Sequence, residues 1–345
     1  MNYQLFSKLL LHWDRHQNDR SMPWKGEKNP YKIWVSEIIL QQTRVQQGEK
    51  YYRALLKKYP DIAALANANE SELYKIWQGL GYYSRCKNML QTAKMIVNDY
   101  NGIFPHSYDD ILKLKGIGPY TAAAIAAFAF DLPYAVVDGN VIRILSRYFG
   151  IESPYQSAKE KKQFELLAQK LLPKKQSASY NQAIMDLGAT ICKPQSPLCE
   201  SCPFAKKCYA YIHGRISELP AKKSKIILKD RYFHFFIFEN KQSIFIQQRN
   251  EKDIWQHLYS PYRIEKQKIN LTEYPFLQGL KYSKIPERYT QKLSHQKIHG
   301  FFYRMEVNNL DCIQDLQLIK IPKARLSTYA FPKMIISFFE KNNYL

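Results

Sequence analysis

The sequence predicts a two-domain protein in which a mainly helical first domain is followed by an α+β domain. Apolar residues recur every three or four positions over residues 1–212, with short breaks at Pro and Gly, as in amphipathic helices. Residues 213–230 are polar and basic, which is typical of a linker. Residues 231–345 contain β-branched and aromatic runs at 232–238, 243–248 and 301–307, and a helical pattern at 332–340. The chain of 345 residues is long enough for two hydrophobic cores.

The charge balance points to a polyanionic partner. The chain has 51 Lys and Arg against 30 Asp and Glu, a net charge of +21, and nucleic acid is the first candidate for such a partner. A basic solvated surface without a ligand is the alternative. No segment approaches the roughly 18 apolar residues of a membrane span, and the first residues lack a signal-peptide pattern. We therefore expect a cytoplasmic, monomeric protein with no membrane partner, associated with the nucleoid if it is bacterial.

Four of the six cysteines are crowded into the loop 192–208. Cys192, Cys199, Cys202 and Cys208 have the spacing Cys-x6-Cys-x2-Cys-x5-Cys. Four thiolates this close can hold a [4Fe-4S] cluster or a tetrahedral zinc ion. Zinc ribbons present two separate Cys-x2-Cys pairs, and only one such pair exists here, so the spacing favours iron and sulfur. Ordinary core cysteines are the third possibility.

A glycine turn at residues 114–123 precedes a helical pattern that continues through Phe128. Gly116 and Gly118 stand just before the helix start, where backbone N–H groups can approach an anion closely. This predicts a helix-hairpin-helix phosphate grip over about 111–128, with Gly116, Gly118 and Thr121 as DNA contacts. A plain turn between two helices is the alternative.

Two carboxyl groups are candidates for catalysis. Asp138 lies between valines and the start of a helix, where it is either a simple N-cap or a carboxylate placed to stabilise a cation on a sugar. Glu37 lies in an apolar helical run, and burial there would raise its pKa enough for a general acid. The alternative is a Glu whose carboxyl group reaches solvent or an ion pair.

Two further stretches carry groups suited to unpaired bases. Gln42 and Thr43, close to Glu37, supply amide and hydroxyl groups that can replace base-pair hydrogen bonds once a base leaves the stack. The turn at residues 79–83 carries Tyr82, an aromatic side chain suited to stacking on bases. That turn is equally compatible with a place in the core.

These motifs together resemble the helix-hairpin-helix superfamily of iron–sulfur DNA glycosylases, and within it the adenine DNA glycosylase (MutY-type) family. The similarity extends over nearly the whole chain, and the first two-thirds carry its specific motifs. It implies excision of adenine opposite 8-oxoguanine or guanine in double-stranded DNA, with a [4Fe-4S] cluster as cofactor. The resemblance gives Glu37 the role of protonating the purine at N7 and Asp138 that of stabilising an oxocarbenium-like sugar.

The resemblance also assigns roles to residues that the patterns alone do not single out. Asn140 follows Asp138 in the catalytic motif, and Trp24, Lys25 and Gln182 correspond to the adenine pocket. Relatives that also nick the strand carry Lys where this chain has Tyr120, and a phenol cannot form the Schiff base that nicking requires. Tyr120 therefore predicts a monofunctional glycosylase.

The second domain resembles the Nudix-like C-terminal domain with which adenine glycosylases sense 8-oxoguanine. It lacks the Glu-rich magnesium-binding helix of Nudix hydrolases, so we expect recognition without hydrolysis. Ser294 and His295 are the predicted lesion-reading residues, although Leu293 stands where relatives often have Phe. A related glycosylase acting on an oxidised pyrimidine or on mismatched thymine is the alternative enzyme. A DNA-binding scaffold without catalysis is the alternative from another class.

Overall fold

The computed structural model describes residues 3–221, 227–283, 285–307 and 311–345. Helices make up the chain as far as residue 212, and strands dominate from residue 229 to residue 322. The helices are α1 (Tyr3–Gln17), α2 (Pro30–Leu40), α3 (Val45–Lys58), α4 (Ile62–Ala66), α5 (Glu70–Trp77), α6 (Tyr83–Asp99), α7 (Tyr108–Lys113), α8 (Pro119–Phe130), α9 (Gly139–Phe149), α10 (Ala158–Leu171), α11 (Ser177–Thr190), α12 (Tyr209–Ile212) and α13 (Lys333–Lys341).

The chain forms two compact units. The first consists of Met1–Ala68 and Lys87–Ser224, and the second consists of Asn69–Cys86 and Lys225–Leu345. The short stretch 69–86, which contains α5 and the glycine turn at 79–83, thus belongs by its contacts to the same unit as the strands. The domain limits that composition suggests, 1–212 and 231–345, stay a prediction.

Local sequence explains where the helices of the first unit begin. Asn29 caps α2, because its side-chain oxygen accepts hydrogen bonds from the backbone N–H groups of Tyr31 and Lys32 at 2.9 and 3.3 Å. Pro30 follows at the first helical position, where the missing N–H costs nothing. Ser157 forms a capping box with Glu160 at the start of α10.

One hydrophobic core of the first unit is built largely from α1, α9, α10 and α11. Phe6, Leu145, Phe164 and Leu187 are fully buried in it. Helix α8 is different, because its Ala-rich sequence is buried on nearly every side, from Thr121 to Ala127. The helix is therefore fixed by packing all round, and whatever its first turn carries is held in place.

The second unit contains a mixed sheet. Its strands are β1 (Lys229–Glu239), β2 (Ser243–Gln248), β3 (Tyr259–Ser260), β4 (Tyr262–Glu265), β5 (Lys281–Tyr282), β6 (Glu287–Lys292), β7 (Gln296–Glu306) and β8 (Ile319–Pro322). The strand order is β3-β2-β1-β7-β5, with β4 paired to β1, β6 to β7 and β8 to β2. The central pair β1 and β7 is parallel, and the other pairs are antiparallel.

Both faces of this sheet are covered. Phe233 and Phe235 on β1 pack in one core together with Phe338 of α13, while Phe236 and Phe238 pack in a second core with Met305. Alternate residues of a strand point to opposite faces. The aromatic run at 232–238 therefore contributes to both cores at once.

The structure confirms the predicted class, a helical first part followed by an α+β second part. The predicted strands at 232–238, 243–248 and 301–307 lie within β1, β2 and β7 or at their ends, and the predicted last helix corresponds to α13. The linker lysines Lys222, Lys223 and Lys225 lie outside the described residues. None of the helices within the described ranges is both long and apolar enough to cross a membrane.

Candidate active site

Glu37 lies on α2, a helix whose residues are buried from Ile33 to Ile39. The residue is buried, with only 7 % of its surface exposed. The pKa of this carboxyl group is raised to about 7, mainly by burial; a hydrogen bond with Tyr120 opposes the rise, and the negative charge of Asp138 contributes to it. Glu37 is therefore partly protonated near neutrality, as a general acid must be.

Tyr120 is the second residue of α8 and hydrogen-bonds the carboxyl group of Glu37. Burial, together with the negative charges of Glu37 and Asp138, raises the pKa of its phenol well above the ordinary value. The phenol therefore stays protonated and acts as a hydrogen-bond donor. A tyrosine held in this way can orient the acid but cannot act as an amine nucleophile.

Asp138 is the N-cap of α9 and, at the same time, part of this carboxyl cluster. Its Oδ1 accepts hydrogen bonds from the backbone N–H groups of Asn140 and Val141, both at 2.8 Å, and its Oδ2 accepts one from Asn140 Nδ2 at 2.7 Å. Burial nevertheless raises the pKa of Asp138, although these hydrogen bonds oppose the rise. The carboxylate is consequently fixed in direction by the start of a helix.

A cavity of about 730 Å³ in the first unit joins these groups. It is large enough for a purine base and part of its sugar. Its wall includes most of the predicted site residues of this unit, namely Trp24, Lys25, Glu37, Gln42, Thr43, Tyr120, Asp138, Asn140 and Gln182. The structure thus brings together the acid, the capping carboxylate and the predicted base pocket, which come from distant parts of the chain.

The hairpin glycines lie beside the start of α8. Gly116 has φ +76°, and a Cβ there would lie 2.7 Å from Cβ of Asn88, so no other residue fits without movement. A Cβ at Gly118 would meet nothing within 4 Å, so the backbone at the N-cap of α8 is open to a ligand. Thr121 is 2 % exposed and its hydroxyl accepts a hydrogen bond from Gln41 Nε2 at 3.3 Å. Any DNA contact of Thr121 would come through its backbone N–H.

The predicted lesion-reading residues lie in the second unit, where Ser294 and His295 are exposed. The hydroxyl groups of Ser294 and Tyr82 form a hydrogen bond. Tyr82 is 44 % exposed and has φ +50°, in the left-handed region. Leu293 packs against the core that contains Phe233, so the side chain that departs from the family pattern is turned into the domain.

Cys192, Cys199, Cys202 and Cys208 line a common small cavity in the first unit, and none of them forms a disulfide bond. Arg147 faces them and donates a hydrogen bond from Nη1 to Cys192 Sγ at 3.4 Å, which suits a negatively charged thiolate. The donor set therefore fits a four-iron cluster. Among the described residues, no group of three or more His, Cys, Asp or Glu side chains is placed as a ready metal site. The cluster accordingly remains a proposal.

Sequence reasoning missed two buried groups that support the site. Arg143 donates hydrogen bonds to Asn140 Oδ1 at 2.8 Å and to the carbonyl oxygen of Cys192 at 2.7 Å, and thereby joins the start of α9 to the cysteine loop. Asp186 is fully buried behind Gln182 and binds Arg20 and Lys25. The helical spacing of Gln182 and Asp186, four residues apart on α11, was the available signal for the second group.

The fold and the carboxyl cluster define a helix-hairpin-helix DNA-repair protein. The family model described as HhH-GPD superfamily base excision DNA repair protein matches residues 35–174. The protein named adenine DNA glycosylase in Buchnera aphidicola subsp. Schizaphis graminum (strain Sg) is 34 % identical over 304 residues, which cover 88 % of this chain and 85 % of that protein. The chain belongs to the adenine DNA glycosylase family.

Two solved structures have the same fold as the first unit. A thermostable thymine-DNA glycosylase is 32 % identical, with a TM-score of 0.56, over 61 % of this chain and 97 % of that one. A non-covalent endonuclease III–DNA complex is 24 % identical, with a TM-score of 0.53, over 62 % of this chain and 99 % of that one, and this likeness shows the fold alone.

Proposed function

We propose that this protein is a monofunctional DNA glycosylase that hydrolyses the N-glycosidic bond of adenine mispaired with 8-oxoguanine or guanine. The observation that carries the proposal is the buried carboxyl group of Glu37. With a pKa of about 7 it can hold a proton in the cavity that it shares with Asp138. Membership of the adenine DNA glycosylase family supports adenine as the base.

The chemistry begins with an adenine that has left the base stack and entered the cavity. Glu37 gives its proton to N7, so the purine leaves without a full negative charge when the bond between C1′ and N9 breaks. Water then bonds to C1′, and its proton returns to the carboxylate of Glu37. The hydrogen bond from Tyr120 keeps the carboxyl group oriented through both transfers.

Asp138 stabilises the cation that develops on the sugar. Its two oxygens are fixed by the N-terminus of α9 and by Asn140, so no reorientation is needed as the charge appears. Desolvation strengthens the attraction between this carboxylate and a cation in the same cavity. The burial that raises its pKa therefore has a catalytic consequence.

Strand nicking requires an amine nucleophile in the cavity, and the positions of Tyr120 and Lys25 both argue against one. Tyr120 occupies the place that a Schiff-base Lys takes in bifunctional relatives. Lys25 lines the cavity, but its Nζ lies 2.9 Å from Asp186 Oδ2 and is engaged in that ion pair rather than free to attack a sugar. Base removal without efficient strand cleavage is the expected activity.

DNA binding is assigned to the hairpin and to the net charge of +21. The open backbone at Gly118 and the first N–H groups of α8 suit a phosphate of the duplex. A [4Fe-4S] cluster held by Cys192, Cys199, Cys202 and Cys208 would keep the loop 192–208 rigid. Such a protein works as a soluble monomer on chromosomal DNA.

A glycosylase assay on duplexes with defined mispairs tests the proposal. Adenine opposite 8-oxoguanine and opposite guanine, thymine opposite guanine, and an oxidised pyrimidine are the four substrates, and strand nicking is scored with and without alkali. Excision confined to adenine, with alkali needed for cleavage, is expected. Preferential removal of thymine or of the oxidised pyrimidine would replace the proposed substrate, and failure to remove any base would leave a DNA-binding scaffold.

Recognition of the lesion is assigned to Ser294 and His295. 8-Oxoguanine carries a hydrogen at N7, whereas guanine has a lone pair there, so a Ser hydroxyl can accept from the lesion only. The hydrogen bond between Tyr82 and Ser294 holds that hydroxyl in place. Replacing both residues by Ala should reduce the preference for 8-oxoguanine over guanine by roughly 1–3 kcal/mol, and an unchanged preference would remove the role from this loop.

A further inference from the structure

Asp186 is a charged residue buried directly behind the cavity wall. It lies on α11, one turn after Gln182, and its relative exposure is 0 %. Gln182 lines the cavity, so Asp186 forms a second layer that a base in the cavity would not touch. A buried carboxylate is costly unless each of its oxygens is paired, so its partners reveal what it does.

Four donors converge on the two oxygens of Asp186. Oδ1 is 2.7 Å from Arg20 Nη1 and accepts from Gln182 Nε2 at 2.9 Å. Oδ2 is 2.9 Å from Lys25 Nζ and accepts from Asn18 Nδ2 at 2.9 Å. All four partners are donors, so both oxygens of Asp186 act as hydrogen-bond acceptors.

This pairing fixes the direction of the Gln182 amide. An amide side chain has a donor end and an acceptor end of nearly equal shape and could face a ligand with either. Because Asp186 Oδ1 also pairs with the Arg20 guanidinium and faces Gln182 as an acceptor, Gln182 turns its NH₂ group toward Asp186. The carbonyl oxygen of Gln182 and its second N–H, which does not bind Asp186, therefore face the cavity in one fixed orientation.

We infer that Asp186 is a positioning residue that sets base specificity through Gln182, and this inference rests on the proposed function. The fixed carbonyl oxygen accepts a hydrogen bond from the 6-amino group of a purine. A 6-oxo purine such as guanine or hypoxanthine presents an acceptor at the same position and meets repulsion between lone pairs. The 6-amino group lies on both the Watson–Crick edge and the Hoogsteen edge of adenine. Gln182 therefore favours adenine over 6-oxo purines whichever of these edges it faces.

The ratio of the excision rate of adenine to that of unsubstituted purine separates this role of Asp186 from the effect of its charge. Removing the carboxylate leaves Arg20 and Lys25 unpaired, and their positive charges oppose protonation of any purine in the cavity. That loss affects adenine and unsubstituted purine alike. The ratio of the two rates cancels it and retains the contribution of the 6-amino group.

The experiment measures single-turnover excision of adenine, purine and hypoxanthine, each opposite 8-oxoguanine. We expect D186N to lower the adenine-to-purine ratio roughly fivefold or more, the effect of one good base-edge contact. Q182L should lower the ratio equally, and the double variant should lower it no further, because Asp186 acts through Gln182. D186E, which keeps an acceptor-only carboxylate, should restore part of the ratio.

Asp131→Asn is the matched control, because Asp131 is exposed and binds the backbone N–H of Ala178 near the start of α11 without touching Gln182. Its ratio should equal that of the wild type. An unchanged ratio in D186N, or additive effects in the double variant, would overturn the inference. A wild type that does not excise adenine would instead refute the proposed function itself.

Hydrogen exchange of the Gln182 side-chain amide in the wild-type protein tests the inference even if D186N does not fold. In protein labelled with ¹⁵N at glutamine side chains, the Gln182 amide is identified as the resonance pair missing from Q182L. An amide bound to a buried carboxylate should exchange its hydrogens with water far more slowly than exposed glutamines. Exchange as fast as that of the exposed amides would contradict the fixed orientation.

Discussion

Replacing Glu37 by Gln should abolish excision and, at alkaline pH, stabilise the fold. The pKa of Glu37 rises from the ordinary value of 4.5 to about 7 on folding, mainly because burial disfavours its charged form. The folded state therefore binds the proton more tightly than the unfolded state, and the stability of the wild type falls as pH rises between these two values. Each pKa unit corresponds to about 1.4 kcal/mol, so the cost above pH 7 is roughly 3 kcal/mol.

Gln keeps the shape of Glu and carries no charge at any pH, so the variant does not pass through this transition. The free energy of unfolding of the variant, minus that of the wild type, should be about 3 kcal/mol larger at pH 8 than at pH 4, so the variant is relatively more stable at pH 8. Denaturant unfolding at the two pH values measures the difference. Glu49→Gln, at a partly exposed carboxylate on α3 that pairs with Arg53, is the control and should show a much smaller change.

The same pKa predicts how excision by the wild type depends on pH. Above pH 7 the rate should fall about tenfold per pH unit as Glu37 loses the proton that it must donate. If the difference in stability between Glu37→Gln and the wild type does not change between pH 4 and pH 8, folding does not raise the pKa of Glu37. A rate that stays level up to pH 9 would show that its proton is not the one transferred.

Three further variants test the remaining groups. Asp138→Asn should reduce excision by about 10²–10³-fold with little loss of binding, because Asn can still cap α9 but has no charge for the sugar cation. Substantial residual excision would argue against that role. Tyr120→Lys should introduce strand nicking that borohydride traps as a covalent complex, and the absence of any trapped product would show that this position cannot reach the sugar. Cys199→Ala should diminish the broad absorbance at about 400 nm expected of a four-iron cluster, and should weaken DNA binding more than it slows the bond-breaking step. Stoichiometric zinc without sulfide in the wild type would contradict the cluster.

Much of the site could be predicted because its chemistry depends on local sequence. Glu37 follows an apolar run in a helix with a clear start at Asn29 and Pro30, and a carboxyl group there was bound to be buried. Asp138 precedes a helix, and Gly116 must adopt a conformation that only glycine accepts easily. Each of these features can be recognised within a few residues of chain.

The groups that were missed depend on contacts between distant parts of the chain. Arg20 and Asp186 form their ion pair across 166 residues, and no local pattern indicates that a surface-type Arg will meet a buried Asp. Thr121 stays a predicted DNA contact, but the orientation of its side chain also depends on packing. Because α8 is buried on nearly every side, the Thr121 hydroxyl contacts Gln41, which leaves its backbone N–H for a phosphate.

Asp138 shows why two interpretations of one residue need not compete. An N-cap uses its carboxylate oxygens to accept hydrogen bonds from backbone N–H groups, whereas an electrostatic catalyst needs the same oxygens to face the substrate. Here Oδ1 accepts both backbone hydrogen bonds, and Oδ2 accepts only that from Asn140, so Oδ2 keeps capacity for a cation. The capping bonds also hold the charge in a buried place where burial would otherwise favour its protonation. Asp138 can serve as a catalytic charge because it is an N-cap.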